Sequence, residues 1–418
     1  MRKQLRLTPF VAVMAIIAAA CSSPAASSAP SVAPASGAPE STAPESGAPA
    51  ALSGELTIWH TYASGAGTEK DTYDKIVADI QSKNPELKIT TTVQNFFGAG
   101  NIFDKYALEA AAQGGPDLFI VPNDSEGAQV RSNLLQPLDD LAAGKLGDFV
   151  QLSVDGCTVD GKLYCIPESL KAVGMYYDKT AVTTPPTTVD ELLQMQKDGK
   201  IKAGFSQGGY HNFGFWAAYG GKLMDDSGKC VADTTGVDKA FTLFKDLKAA
   251  GAKYYPDYAK FADAFGQGQL NVIIDGPWAS GGYAEKLGDK LAVTALPSGP
   301  SGPSQPITGT DGWFVNPNST NQELAVAVAL LISTQYEQQF VDEAGHIPAV
   351  TTATVTDPIT KGFAEAVADG FPRPQVKQLD NFWSNFDNAI NAVLDKGTDP
   401  AAAVKEACTK MNEANKIS

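Results

Sequence analysis

Gly54-Glu-Leu-Thr-Ile-Trp59, Leu87-Lys-Ile-Thr-Thr-Thr-Val93 and Asp117-Leu-Phe-Ile-Val121 are the runs on which the fold turns. The first two alternate like strands with one buried face, and the third is a short apolar run of the kind a sheet interior holds. Between the first two, a glycine-rich turn (Ser64-Gly-Ala-Gly67) leads into Thr68-Glu-Lys-Asp71, which has the form of a helix-capping box. Tyr73, Ile76, Val77 and Ile80 then recur at helical spacing until Asn84-Pro85 stops the helix. A second helical stretch, 102–113, separates the second and third runs. Strand, helix, strand, helix, strand predicts an open α/β domain with a largely parallel sheet. Such sheets bind ligands beyond the carboxyl ends of their strands, which places residues 60–67, 95–101 and 122–127 around one candidate site.

Outward from this unit the pattern repeats with variations. Strand-like pieces over 162–177 suggest a crossover into a second domain. Helices are expected at 189–196, 213–219 and 237–250, and strands at 271–275 and 291–296. A Pro/Gly/Ser-rich loop, 297–306, precedes a strand at 313–315. Helices are expected again at 321–333, 382–394 and 400–411. The chain from Gly54 to Ser418 is longer than one hydrophobic core usually serves, so two domains are expected.

The N-terminus has a different character. Arg2, Lys3 and Arg6 precede an almost entirely apolar run, 10–20, too short to span a bilayer as a mature helix. Ala18-Ala19-Ala20 then lead to Cys21. This is the layout of a secretory signal, and its end is similar to a bacterial lipobox, with Ala18 where leucine is usual. It predicts a signal peptide over 1–20 and a lipidated Cys21 at the mature N-terminus. The segment that follows, to about residue 53, is mostly Ala, Ser, Pro, Gly and Glu. It has too little apolar surface to offset its conformational entropy, and reads as a disordered tether reaching about 30 Å. No later run is apolar enough to cross a bilayer.

A net charge of −15 and the absence of a basic stripe argue against nucleic acid as a partner. Beyond Cys21 the cysteines are Cys157, Cys165, Cys230 and Cys408, an even set outside the cell that suggests two disulfides with three possible pairings. Turn residues Asp155-Gly156 and Asp160-Gly161 favour a hairpin joining Cys157 to Cys165, which leaves Cys230 for Cys408. With no Cys-x-x-Cys and only 3 histidines, neither a metal site nor a cofactor is expected. Asp225-Asp226-Ser-Gly228 lacks the alternating ligands of a calcium loop and reads as a turn. Gly204-Phe-Ser206-Gln-Gly208 matches the nucleophile-elbow pattern, with His346 downstream, but Lys200-Ile-Lys-Ala203 is too polar for the central strand an elbow needs. A chance match is the better reading.

In order along the chain, Leu56-Thr-Ile-Trp-His60, Gly114-Gly-Pro-Asp-Leu-Phe119, Asp160-Gly-Lys-Leu-Tyr164 with Ile166-Pro167, Tyr176-Tyr-Asp-Lys179, Ala217-Ala-Tyr-Gly-Gly221, Ile274-Asp-Gly-Pro-Trp278, Gly345-His-Ile-Pro-Ala349 and Asn381-Phe-Trp383 form a set. With them the chain resembles the extracellular solute-binding proteins of sugar ABC importers, in particular the maltose/maltodextrin branch. The resemblance implies an α/β, two-lobed periplasmic-binding-protein-like fold with a hinge and an inter-lobe ligand cleft. It places lobe 1 at 54–170 and 297–347, and lobe 2 at 171–296 and 348–418. It also implies a monomer that hands a sugar or oligosaccharide, maltodextrin among the candidates, to a membrane permease and catalyses nothing.

A sugar offers apolar C–H faces and a rim of hydroxyls, so its site calls for aromatic platforms and planar polar groups. By motif position the resemblance assigns stacking to Trp278, Trp383 and Tyr210, and hydroxyl binding to Asp124. Trp313, Tyr62 and His60 stand at expected ligand-facing strand ends, His60 with equal claim to a purely structural place. Trp59 and Trp216 read as core. The chain departs from the branch at Val121, Ser125, Lys171, Ala63, Ser64 and Asp387, where the branch carries Trp, Arg, Glu, a charged pair and Arg, so the hydroxyl-binding set differs. The rival classes are a glycosidase, which needs two carboxylates across a sugar groove, and a glycan-binding adhesin that serves no permease.

Overall fold

The computed structural model describes residues 51–62, 68–96 and 98–417. The expected signal peptide, Cys21, most of the tether and the Ser64–Gly67 turn lie outside the described residues.

The strands run β1 (Gly54–His60), β2 (Leu87–Val93), β3 (Leu118–Pro122), a hairpin of β4 (Thr158–Val159) and β5 (Lys162–Leu163), β6 (Cys165–Lys171) and β7 (Gly174–Asp178). They continue as β8 (Ala203–Ser206), β9 (Lys253–Tyr255), β10 (Val272–Asp275), β11 (Leu291–Thr294), β12 (Ile307–Val315), β13 (Ile347–Pro348) and β14 (Phe371–Pro372). Beside the β4–β5 hairpin two large sheets result, and each is the floor of a lobe. The first has the order β13-β6-β12-β3-β1-β2, with β14 pairing β12, and the second β11-β7-β10-β8-β9.

In the first sheet β2 and β3 flank β1 in parallel, as the strand–helix alternation predicts. The helix Thr68–Lys83 covers it with Tyr73, Ile76 and Ile80, all fully buried. The sheet is mixed rather than largely parallel, because β12 returns from the second lobe and pairs antiparallel with both β3 and β6. Only the end of β12, Trp-Phe-Val, carries a strand signal. Its first half, Ile-Thr-Gly-Thr-Asp, is polar yet buried throughout. It spans the lobes: Ile307 belongs to the second lobe's core and Trp313, Phe314 and Val315 to the first lobe's.

The second sheet is centred on β10, Val-Ile-Ile-Asp, which is buried along its whole length and pairs antiparallel with β7 and parallel with β8. The motif Gly204-Phe-Ser206 lies on β8 itself, between β10 and β9. Residues 200–203 therefore do lead into an interior strand, contrary to the reading from their polarity. His346 nevertheless bonds Glu168 and Glu69, so the elbow reading gains nothing. The helix expected over 213–219 is Gly214–Ala218, and a separate short helix, Gly209–Asn212, precedes it. Two later helices start where aspartate caps and proline follows, at Asp357-Pro358 and Asp399-Pro400, with each carboxylate accepting a first-turn N–H.

The disulfides are Cys157–Cys165 and Cys230–Cys408. The first closes over the β4–β5 hairpin, whose turn holds Asp160 and Gly161 at positive φ. Gly312 on β12 makes room for it, since a Cβ there would stand 2.2 Å from Cys165 Sγ. The second ties the helix Pro400–Ala414 into the second lobe's core. Among the described residues no helix is long and apolar enough to cross a membrane, and no cluster of His, Cys, Asp and Glu is arranged to hold a metal.

Candidate functional site

β10 ends on Asp275, and the turn Gly276-Pro277-Trp278 follows directly. Asp275 is fully buried and accepts from Tyr283 Oη at 2.7 Å, from Tyr258 Oη at 3.1 and 3.2 Å, and from the Gly276 N–H at 2.9 Å. His211 Nε2 lies 3.4 Å from it. A buried carboxylate needs such donors to offset the hydration it has lost. The network fixes the platform: Trp278 Nε1 donates to Tyr258 Oη at 2.8 Å, and Tyr176 Oη holds the Gly276 carbonyl at 2.9 Å. Glycine is required at 276, because a Cβ there would stand 2.1 Å from the Trp278 ring.

Trp278, Tyr210 and Trp383 all pack against the second lobe's core while remaining partly exposed, the disposition a stacking platform needs. Tyr210 and Trp278 have ring centroids 6.1 Å apart, and His211 meets Trp278 edge-on at 6.2 Å. Asp124 follows β3 on the first lobe, and its Oδ1 lies 2.5 Å from Arg373 Nη1. The Arg373 guanidinium stands 5.6 Å from the Tyr210 ring and 5.3 Å from that of Trp383. Arg373 thus connects Asp124, Tyr210 and Trp383.

Beneath these groups lies a buried charged floor on β6, β12 and the start of the helix Thr68–Lys83. Lys171 Nζ contacts Asp311 Oδ2 at 2.6 Å and Glu69 Oε1 at 3.8 Å. His346 places Nδ1 2.8 Å from Glu168 and Nε2 3.1 Å from Glu69. Burial alone would lower the His346 pKa, but the facing carboxylates of Glu168 and Glu69 outweigh it and hold it at about 10. The imidazolium therefore donates from both nitrogens. Burial would raise Glu69, yet Lys171 and His346 bring it down to about 2. Asp311 goes the other way, to about 6, because burial and the nearby Glu168 outweigh Lys171. Glu69, Ser169, Lys171 and His346 line one cavity with Pro277 and Trp278, so platform and floor face a common space.

His60, Tyr62 and Trp313 depart from their expected place. Trp313 is fully buried near the end of β12, its backbone paired with Ile120 and Ile166. Tyr62 and His60 are buried too, packed on Tyr73 at 5.3 and 4.8 Å, with Tyr62 6.3 Å behind His346. Burial drops His60 to about 4, which keeps it neutral. All three support the lobe rather than line the cleft, because the strand ends they occupy are roofed by neighbouring helices. Trp59 and Trp216 are core, as their surroundings predict.

The reading from sequence missed Arg373, Glu69 and Tyr258. Arg373 sits between prolines in a segment without periodicity, and Glu69 reads as an ordinary first-turn acid. Asp275 had a signal: a carboxylate ending an apolar strand just before Gly-Pro-Trp.

Two lobes, each on its own sheet, with aromatic and charged groups facing one cavity, define a protein that encloses a small polar solute. The chain belongs to the bacterial extracellular solute-binding proteins, whose family model matches residues 75–366. It is 24% identical to the maltotriose-binding protein of Pyrococcus abyssi, over 86% of this chain and 81% of that one. It is also 24% identical to a maltooligosaccharide ABC transporter solute-binding lipoprotein of Streptococcus pneumoniae, over 82% and 86%. Among solved structures, the GacH receptor of Streptomyces glaucescens superposes with a TM-score of 0.77 at 21% identity, covering 87% of this chain and 98% of that one. The maltotriose-bound maltotriose-binding protein of Thermus thermophilus gives 0.73 at 25% identity, covering 86% and 100%. These relatives are binding proteins.

Proposed function

We propose that this chain captures a sugar, most naturally a neutral oligosaccharide, between its lobes and delivers it to the permease of an ABC importer without chemical turnover. The observation that carries this reading is Trp278: a partly exposed indole, held by Tyr258 and Asp275, facing the same cavity as Glu69, Lys171 and His346. A flat apolar face opposite fixed hydrogen-bonding groups matches a pyranose ring, which is apolar on its faces and polar on its rim. The maltooligosaccharide relatives favour the same solute class. Segments 54–170 and 297–347 would move against 171–296 and 348–418 about the passage between β6 and β7 and about β12. Such a hinge closes when the solute's contacts favour the closed state. Cys21 would carry the lipid that keeps the protein, as a monomer, at the outer face of the membrane.

A thermal-shift screen over maltose, maltotriose, maltotetraose, trehalose and sucrose tests this. A bound sugar at about 100 times its Kd adds about 2.7 kcal/mol and raises the melting temperature. No shift with any sugar, or release of shorter sugars during incubation, contradicts the proposal.

A further inference from the structure

The segment from Phe371 to Asp380 is a strap between the lobes. It leaves the hinge as β14 on β12, with the Arg373 N–H donating to Thr308 O at 3.1 Å. It then crosses the face of the first lobe. Gln375 Nε2 donates to Asn123 O at 3.1 Å, and Gln375 Oε1 accepts from the Gly127 N–H at 3.1 Å. Arg131 reaches back to Gln375 O and to Asp380 Oδ2, both at 3.0 Å. The fit is close, since a Cβ on Gly127 would stand 2.2 Å from Gln375 O. The strap ends in the second lobe, where Leu379 and Phe382 are buried in the core.

Arg373 is where this strap meets the platforms. Its side chain is only 7% exposed, against 36% for its partner Asp124. Tyr210 and Trp383 both lie against the guanidinium, and Nη1 is committed to Asp124. Nε is buried and has no protein partner. An unpaired buried donor is costly, about 1–3 kcal/mol, so its presence calls for an acceptor that the protein itself does not supply. Hydroxyl oxygens of a ring resting on Tyr210 or Trp383 meet that need, while the Asp124 carboxylate accepts from a neighbouring hydroxyl. The pair is neutral as a whole. A carboxylate or phosphate on the sugar therefore gains nothing from Arg373 and would confront Asp124.

We propose that Arg373, resting on the sugar-binding reading above, is a specificity-determining residue: with Asp124 it forms a cross-lobe donor–acceptor pair that binds adjacent hydroxyls of a neutral sugar and discriminates against acidic ones. Asp124 stands on the first lobe and the platforms on the second, and the Arg373 guanidinium touches both. Ligand recognition and closure are thereby coupled through one guanidinium. Lysine cannot substitute, because it lacks the planar fork that stacks and donates edgewise.

The test is calorimetry on the mature chain with the panel sugar that binds tightest, and with its uronic-acid derivative. The wild-type protein should prefer the neutral sugar at least tenfold. Arg373→Ala and Arg373→Lys should each weaken neutral-sugar binding tenfold or more while ligand-free melting moves by only a few degrees. Asp124→Asn, which leaves the arginine charge uncompensated, should narrow or reverse the preference against the acid. Wild-type affinity in Arg373→Ala, or an unchanged preference in Asp124→Asn, overturns the assignment while leaving the sugar-binding reading intact. If the wild-type protein binds no sugar of the panel, the sugar reading fails first and this inference falls with it.

Discussion

Trp278 Nε1 donates a 2.8 Å hydrogen bond to Tyr258 Oη, and Tyr258 Oη in turn donates to Asp275. The indole is therefore oriented from behind, by a fully buried carboxylate. Tyr258→Phe removes the relay without removing the ring. It should weaken sugar binding about five- to tenfold, the worth of one hydrogen bond of about 1 kcal/mol, with little change in melting temperature. Calorimetry beside a thermal melt checks this, and an unchanged Kd would show that the indole needs no such support.

Two tryptophans separate platform from core. Trp383 is partly exposed beside Arg373, whereas Trp313 is fully buried in β12. Trp383→Ala should cost affinity, by tenfold or more, and leave the fold standing. Trp313→Ala should cost about 3–5 kcal/mol of stability, while the protein that remains folded binds normally. Denaturant melts and binding isotherms on both variants should divide in that way, and the reverse pattern would exchange their roles.

His346 predicts a pH dependence of stability. Its folded pKa of about 10 stands above the ordinary histidine value of 6.5 because Glu168 and Glu69 outweigh the effect of burial. The charged form is thus favoured by folding. Its contribution is fully present below about pH 6.5 and is lost as the pH rises through about 10. His346→Gln should be less stable by a few kcal/mol at pH 6, since it leaves buried carboxylates without their cation. The gap to the wild type should narrow steadily in urea melts at pH 6, 8 and 10. A constant gap would show that the histidine is neutral in the folded protein.

Much of this was legible in the sequence, for identifiable reasons. β1, β2, β3 and β10 carry alternating or continuous apolar signals because sheet burial decides their composition. Tyr210, Trp278, Trp383 and Asp124 were read through motifs, and the structure places Tyr210 beside Trp278 and sets Arg373 among Asp124, Tyr210 and Trp383. The first half of β12 escaped notice because Thr308, Thr310 and Asp311 are buried there without an apolar pattern to mark a strand, Asp311 being paired with Lys171. Arg373 escaped because its neighbours come from both lobes and none is near it in sequence. The misplacement of His60, Tyr62 and Trp313 has the same origin: the end of a strand is visible in sequence, but the helix that roofs it is not.

The N-terminal reading has its own test. The basic, apolar and small-residue order ending at Cys21 predicts a lipid anchor, and two or more acyl chains hold a protein stably at a membrane. Cys21→Ala should release most of the protein into the soluble fraction. Equal retention on membranes of the mutant and the wild type would remove the anchor from the account.

The central claim is that the inter-lobe cleft binds a sugar on Trp278. Titration calorimetry of maltotriose into the wild-type protein and into Trp278→Ala addresses it directly, with the recovered sugar analysed afterwards. The account predicts saturable binding to the wild type at one site per chain, a loss of at least tenfold in the variant, and maltotriose recovered intact. Equal affinity in both proteins would place the site elsewhere, and recovery of glucose or maltose would make the protein an enzyme.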